Sequence, residues 1–388
     1  MADLFICSVS LTSFNLTRDN AGRITSKTET VDSTASSYVY AHDSMGRLRT
    51  VTKDSTLVEE YQYNTNGTRI YEMNSLRGIS GRTLTYSDED HLLTAGGATY
   101  QYDVDGFLTT KTNGADVTAY SYSSRGELLS ATLPDSTVID YIHDPYGRRI
   151  AKKANGAIVE KYLWQGLTRL LAVYDGLDNL VMRFEYADGR MPVAMTKNAS
   201  TYYLTYDQVG SLRIVADASG NVVKKIDYDS FGNIISDSDP SFSIPFGFAG
   251  GLQDKTTGLV RFGFRDYDSD VGRWTAKYPI LFGGGDTDLY GYCLNDPINA
   301  VDPEGLMSWL GLGGAIAMGV GVAVSSPAII VAGGVAVALD WYLSIKDAKE
   351  EGEKIKDKIE EKNKPHDEAL EEILDVLDGK EKELDDPC

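Results

Sequence analysis

The sequence predicts a mainly β protein built from repeated β-hairpins, with a short α-helical tail at its C-terminus. Three observations predict this. A turn-forming phrase returns at a near-fixed spacing. The segments between its copies alternate apolar and polar residues with strand periodicity. After residue 306 the composition changes abruptly, first to an uncharged apolar run and then to charged residues at helical spacing.

The phrase is clearest in YIHDPYGRRI, residues 141–150. Other copies are YAHDSMGRL from Tyr40, YQYNTNGTR from Tyr61, YQYDVDGFL from Tyr100 and YSYSSRGEL from Tyr120. TYDQVGSLR from Thr205 and DYDSFGNII from Asp227 are weaker copies. Its fourth position falls at Asp43, Asn64, Asp103, Ser123, Asp144, Asp207 and Asp229, with gaps of 21, 39, 20, 21, 63 and 22. The long gaps are near multiples of 21, and a degenerate copy, YSDEDHLL from Tyr86, fills one of them. A fixed period of this kind signals a repeat architecture.

Each unit reads as a hairpin. STASSYVYA and TLVEEYQY alternate as strands do. In the Asp-x-x-Gly piece, a carboxylate can accept a nearby backbone N–H and glycine tolerates positive φ. A basic residue often follows, and then an apolar one as the chain re-enters a strand. The 24 tyrosines are expected to stack between units with their hydroxyls at the wet edge. One unit cannot bury its own face, whereas successive units can. These aspartates are therefore turn residues rather than catalytic ones.

The phrases resemble the YD repeats of the Rhs family, shared with the C components of Tc toxins and with teneurins. The likeness covers residues 32–306. It implies a β-hairpin strip that curls into a hollow shell, here a partial one. Residues 1–31 then form a lead-in strand region, 32–260 the repeats, 261–306 the repeat-associated core domain and 307–388 a variable tail. The segment RFGFRDYDSDVGRWTAKYPILFGGGDTDLYGYCLNDPINAVDPEGL resembles that core almost end to end. Gly272, Arg273, Trp274, Pro303 and Gly305 carry its motif. In the family the core closes one end of the shell and cuts the chain after its final Asp-Pro-x-Gly-Leu by an aspartic-protease-like reaction. The resemblance thus implies a scissile bond between Leu306 and Met307, with the freed tail held as cargo, usually a toxin.

Hydrolysis by carboxylates needs two that share a proton. On spacing alone, DPEG is a turn; the resemblance makes Asp302 a catalytic candidate. Arg265 matches a family arginine near the cut, able to hold a carboxylate or polarise the carbonyl. The second family carboxylate lies in a DPI phrase, but here the phrase is KYPI, with Tyr278 in its place. A phenol with a pKa near ~10 is not an ionised partner at neutral pH. Self-cleavage is therefore expected to be weak or absent. Asp266, Asp268, Asp270, Asp286 and Asp288 are nearby acids in sequence that are able in principle to substitute.

Residues 309–339 carry no charge, a length sufficient to span a bilayer, for which ~20 apolar residues are enough. Glycines and alanines recur at small-xxx-small spacing. Ser325, Ser326 and Pro327 interrupt the run, so two short helices in a hairpin and one kinked span both fit. A membrane-active effector and a Gly-rich hairpin sequestered in a protein shell are the two readings. From Lys346 the chain holds 9 Lys and Arg against 17 Asp and Glu, a net charge of −8, which opposes insertion into anionic lipid. Residues 346–388 read as a solvated helix, a break at Pro365 and a short amphipathic helix ended by Gly379. An immunity protein is one partner able to dock on that apolar stripe. The tail offers only His366 beside Asp367, too little for an enzymatic site.

The remaining composition excludes several classes. A net charge of −20 argues against a nucleic-acid partner. Cys7, Cys293 and Cys388 are scattered, as are His42, His91, His143 and His366, so no metal site and no cofactor are expected. The N-terminus lacks a signal-peptide pattern. Export to the medium or cell surface would then need dedicated secretion machinery or a missing upstream shell chain. The leading expectation is a Rhs-type shell that presents a membrane-active tail to a target membrane. The alternative is a YD-repeat surface protein anchored by its apolar segment, and a decayed relic is a third reading.

Overall fold

The repeated phrase builds its own turn. Asp43 Oδ1 accepts the N–H groups of Met45 (2.9 Å) and Arg47 (3.0 Å), while Gly46 N–H donates to Asp43 O (3.0 Å). Gly46 lies at φ +88°, where a side chain is strained. Asp103, Asp144, Asp207 and Asp229 repeat the arrangement, and Asn64 and Ser123 supply the same acceptor. The basic residue after glycine closes the clip: Arg47 Nε and Arg148 Nε each lie 2.7 Å from Oδ2 of their own aspartate. The degenerate copy turns at Ser87, with Asp90 at φ +60° in the glycine's place.

These turns join strands into one strip. The computed structural model describes residues 5–6, 9–187, 189–279, 287–306 and 309–310. All belong to one compact unit spanning Met1–Val322. From Thr12–Arg18 to Ile234–Asp237, 22 strands follow one another, each antiparallel to the one before. The region expected as a lead-in already takes part, because Thr12–Arg18 pairs with Ile24–Val31 and that strand with Thr34–His42. Within residues 307–388 the structure describes Trp309–Leu310, which form a strand antiparallel to Ala300–Val301 instead of the start of the expected helix; the helices expected in the remainder lie outside the described residues. Among the described residues, no helix is long and apolar enough to cross a membrane.

The tyrosines depart from the expected wet-edge stacking. The first tyrosine of each phrase points inward: Tyr40, Tyr61, Tyr100, Tyr120 and Tyr141 are at most 8% exposed. Four other tyrosines tie one hairpin to the one before it. Tyr63 OH donates to Leu48 O (2.6 Å), Tyr86 to Arg69 O (2.6 Å), Tyr186 to Leu170 O (2.8 Å) and Tyr206 to Pro192 O (2.8 Å). Arginines cover the rings, as Arg149 does 3.6 Å from the Tyr141 centroid. A ring that buries its face and satisfies its hydroxyl on a neighbouring backbone is worth more than one left in water.

The strip curls, and side chains bring its two ends together. Glu29, in the second strand of the strip, meets Arg213 of Leu212–Asp217 at 3.2 Å. Leu11 and Val31 pack with Ile214 and Ala216. Nearby, the turn at Asp229 enters the early strands. Phe231 lies edge-on to Tyr61 (5.0 Å), and Asn74 Nδ2 donates to Asp229 Oδ2 (2.9 Å). Glu59 accepts Tyr61 OH (2.7 Å) and Ser230 N–H (3.2 Å). Burial and then the Asp229 charge push the Glu59 carboxyl up to about 7.

That shift sets a pH dependence. Well below pH 4 both the folded and unfolded chains hold the proton. As pH rises, the unfolded chain releases it first, so Glu59 increasingly favours unfolding until pH reaches about 7, after which its penalty is constant. Gln mimics the protonated acid. Relative to the natural chain, Glu59→Gln should gain stability between pH 4 and pH 8 by about 2–3 kcal/mol, read from urea unfolding at each pH. A difference that stays flat with pH would refute the assignment.

Residues that follow the strip's last strand cover its buried face. Leu259 and Val271 join Tyr100, Tyr120 and Tyr141. Ile244, Phe246 and Leu252 join Met182, Phe184 and Leu204, while Ile298 joins Tyr40, Val51 and Tyr61. The inside of these turns is thus occupied by side chains of the same chain, among them Ile244, Phe246, Leu252, Leu259, Val271 and Ile298.

Candidate functional site: the turn before Leu306

The segment 262–265 and the turn 302–305 are pressed together by two glycines. Gly263 (φ +43°) and Gly305 (φ +66°) take conformations that favour glycine. A Cβ on Gly263 would sit 2.3 Å from Glu304 O, and one on Gly305 2.5 Å from Phe262 O. This close approach lets Phe264 N–H donate to Glu304 O (2.8 Å). Gly305 was legible as part of the family motif. Gly263 was missed; its signal is a lone glycine between two phenylalanines beside Arg265.

Arg265 then clamps the turn. Its Nε donates to Gly305 O (2.6 Å) and its Nη2 to Asp302 Oδ2 (3.0 Å). Asp302 Oδ1 accepts the Leu306 N–H at 3.0 Å. Asp302 and Arg265 are both fully buried. The guanidinium packs against two rings, with centroids 3.9 Å away for Trp274 and 3.6 Å for Tyr278. The structure therefore brings together Asp302, Arg265, Tyr278, Trp274, Gly305 and the backbone of Leu306. Met307 lies outside the described residues. Pro303 follows Asp302 on the turn. Gly272 and Arg273 serve packing elsewhere: a Cβ on Gly272 would meet the Phe231 ring at 2.7 Å, and Arg273 forks onto Asp288 at 2.6 and 2.8 Å.

Tyr278 is neutral here. Burial pushes its phenol up to about 12, Arg265 pulls it down and Asp302 pushes it up. Its hydroxyl donates to Gly291 O at 3.4 Å. A neutral phenol cannot take a proton from water. The acids named as substitutes are engaged with cations of their own. Asp266 meets Arg149 (2.8 Å) and Arg261 (2.7 Å). Burial opposes its ionisation, yet these arginines hold its carboxyl below the usual range. Asp268 meets Lys111 (2.7 Å), and Asp270 meets Arg77 and Arg82. Asp288 holds Arg273, and Asp286 lies outside the described residues. Among the described residues, no His, Cys, Asp and Glu gather as a metal site.

The Teneurin YD-shell family model matches residues 2–287. Teneurin-3 of Danio rerio is 29% identical over 300 residues, covering 73% of this chain and 11% of that protein. Teneurin-1 of Homo sapiens is 32% identical over 267 residues, covering 66% of this chain and 10% of that protein. The chain thus spans about a tenth of the length of these relatives. A structure of the Photorhabdus luminescens Tc holotoxin pore shares the fold, with a TM-score of 0.52 and 16% identity over 77% of this chain and 18% of that one. With a family match over most of its length and the repeated Asp-x-x-Gly hairpins that form the strip, the chain belongs to the teneurin YD-shell family.

Proposed function

We propose that this chain is the closing segment of a Rhs-type shell, with its own residues 307–388 as cargo and the junction after Leu306 cut slowly or not at all. The observation that carries this reading is the buried clamp of Arg265, Asp302 and the Leu306 N–H, with a neutral tyrosine where a second carboxylate would stand. The Asp302 carboxylate stands at the Leu306 N–H, one residue before the junction, which supports its role in the proposed cut. Its chemical partner is the group that Tyr278 replaces.

Side chains from residues after the strip fill these turns, so room for a tail must come from further repeats in an upstream shell chain or another copy. The domain division at residues 31, 260 and 306 belongs to this proposal. So do a membrane-active role for residues 309–339 at a target membrane, an immunity protein, and export by a secretion system to the medium or cell surface. Full-length protein, purified and held at neutral pH, should keep a single intact mass by mass spectrometry. Efficient conversion to two masses meeting at Leu306–Met307 would overturn the proposed junction.

A further inference from the structure

We infer that the cleft between the Asp302 turn and the strip is a binding site for a small tetrahedral oxyanion of the phosphate class. Arg149, Arg190 and Arg261 line one cleft, which encloses about 30 Å³, and Pro303 forms part of its wall. A buried water needs roughly 10–15 Å³, so there is room beyond a single water. Among the described residues, one carboxylate stands within ion-pair distance of these three guanidiniums. Arg149 and Arg261 share one carboxylate, Asp266, whose two oxygens they divide at 2.8 and 2.7 Å. Arg190 makes no ion pair among the described residues; its Nη2 donates to Val209 O (3.2 Å).

The three side chains also carry unused donors. The Nε atoms of Arg149, Arg190 and Arg261 are buried and have no hydrogen-bond partner among the described residues. Arg149 is 2% exposed and Arg261 is 4% exposed. Buried guanidinium donors left unpaired are costly, and several on one cleft are a recurrent way of holding oxyanions. A tetrahedral anion presents oxygens in several directions and suits donors that arrive from three separate segments. A carboxylate presents only two, in one plane. Aspartate or glutamate from a partner is for that reason the weaker fit. A bound anion would brace the wall that carries Pro303, next to Asp302.

The test is isothermal titration of the full chain with inorganic phosphate, at ionic strength held constant with sodium chloride. Saturable binding of one phosphate per chain is expected, weakened about ten- to hundredfold by Arg190→Gln. Arg190 is the choice because it supports no ion pair among the described residues. Should that variant fail to fold, Arg190→Lys keeps the charge, removes the fork and should weaken binding several-fold. The absence of saturable binding to the natural chain, or binding unchanged in the folded Arg190 variant, would overturn the site.

Discussion

Replacing Tyr278 with aspartate should convert an intact chain into one that cuts itself after Leu306. The new carboxylate would stand beside Arg265, whose guanidinium carbon is 3.6 Å from the centre of the present ring, and Arg265 already holds Asp302. Two carboxylates in a buried site cannot both ionise easily, so they share one proton. The ionised one takes a proton from water, and the water oxygen attacks the Leu306 carbonyl carbon. The protonated one supports the developing charge. The bond to the Met307 nitrogen then breaks and that nitrogen gains a proton. Removing one member of a catalytic set typically lowers the rate by roughly 10⁴ or more, and Tyr278→Asp should restore a comparable factor. Intact-mass spectrometry over hours reads the outcome. Tyr278→Phe, and Tyr278→Asp combined with Asp302→Asn, should both stay whole. A folded Tyr278→Asp chain that stays whole would sink the assignment of this position. Cutting by the natural chain at the same rate would show that another group supplies the second acid.

What could be read in advance divides by distance along the chain. The hairpin clip is local: Asp43 contacts residues two and four places on, so its chemistry is visible in the phrase itself. The strand TLVEEYQY is reproduced at Thr56–Tyr63 because alternation is also local. The curl was different. Glu59 meets the N–H of Ser230 across 171 residues, and no periodicity announces such a contact. The same holds for Arg149 and Asp266, which lie 117 residues apart. Asp302, Arg265 and Tyr278 were reached only through the resemblance, since DPEG by itself is a turn, and a turn is also what it forms, with Gly305 N–H donating to Asp302 O at 3.3 Å. The hydroxyls of Tyr63, Tyr86, Tyr186 and Tyr206 depart from the wet edge because their acceptors are carbonyls on the preceding hairpin, a feature of register between units.

Arg265→Met should be among the most destabilising single substitutions in the described fold, at about 3–5 kcal/mol. The methionine would fill much of the space against Trp274 and Tyr278, so the loss is chiefly electrostatic. Asp302 is fully buried, and the variant removes the guanidinium that stands 3.0 Å from its Oδ2. Gly305 O would lose its 2.6 Å donor as well. Breaking one side of a buried pair costs far more than the pair is worth, because the survivor is left uncompensated. Removing the charge on both sides should therefore recover stability. Asp302→Asn keeps an oxygen for the Leu306 N–H, and the double variant Arg265→Met with Asp302→Asn should regain at least half of the loss in urea unfolding. A double variant as unstable as Arg265→Met alone would place the cost in packing around Trp274 instead. The pair would then hold shape only, and its candidacy as the cutting centre would weaken with it.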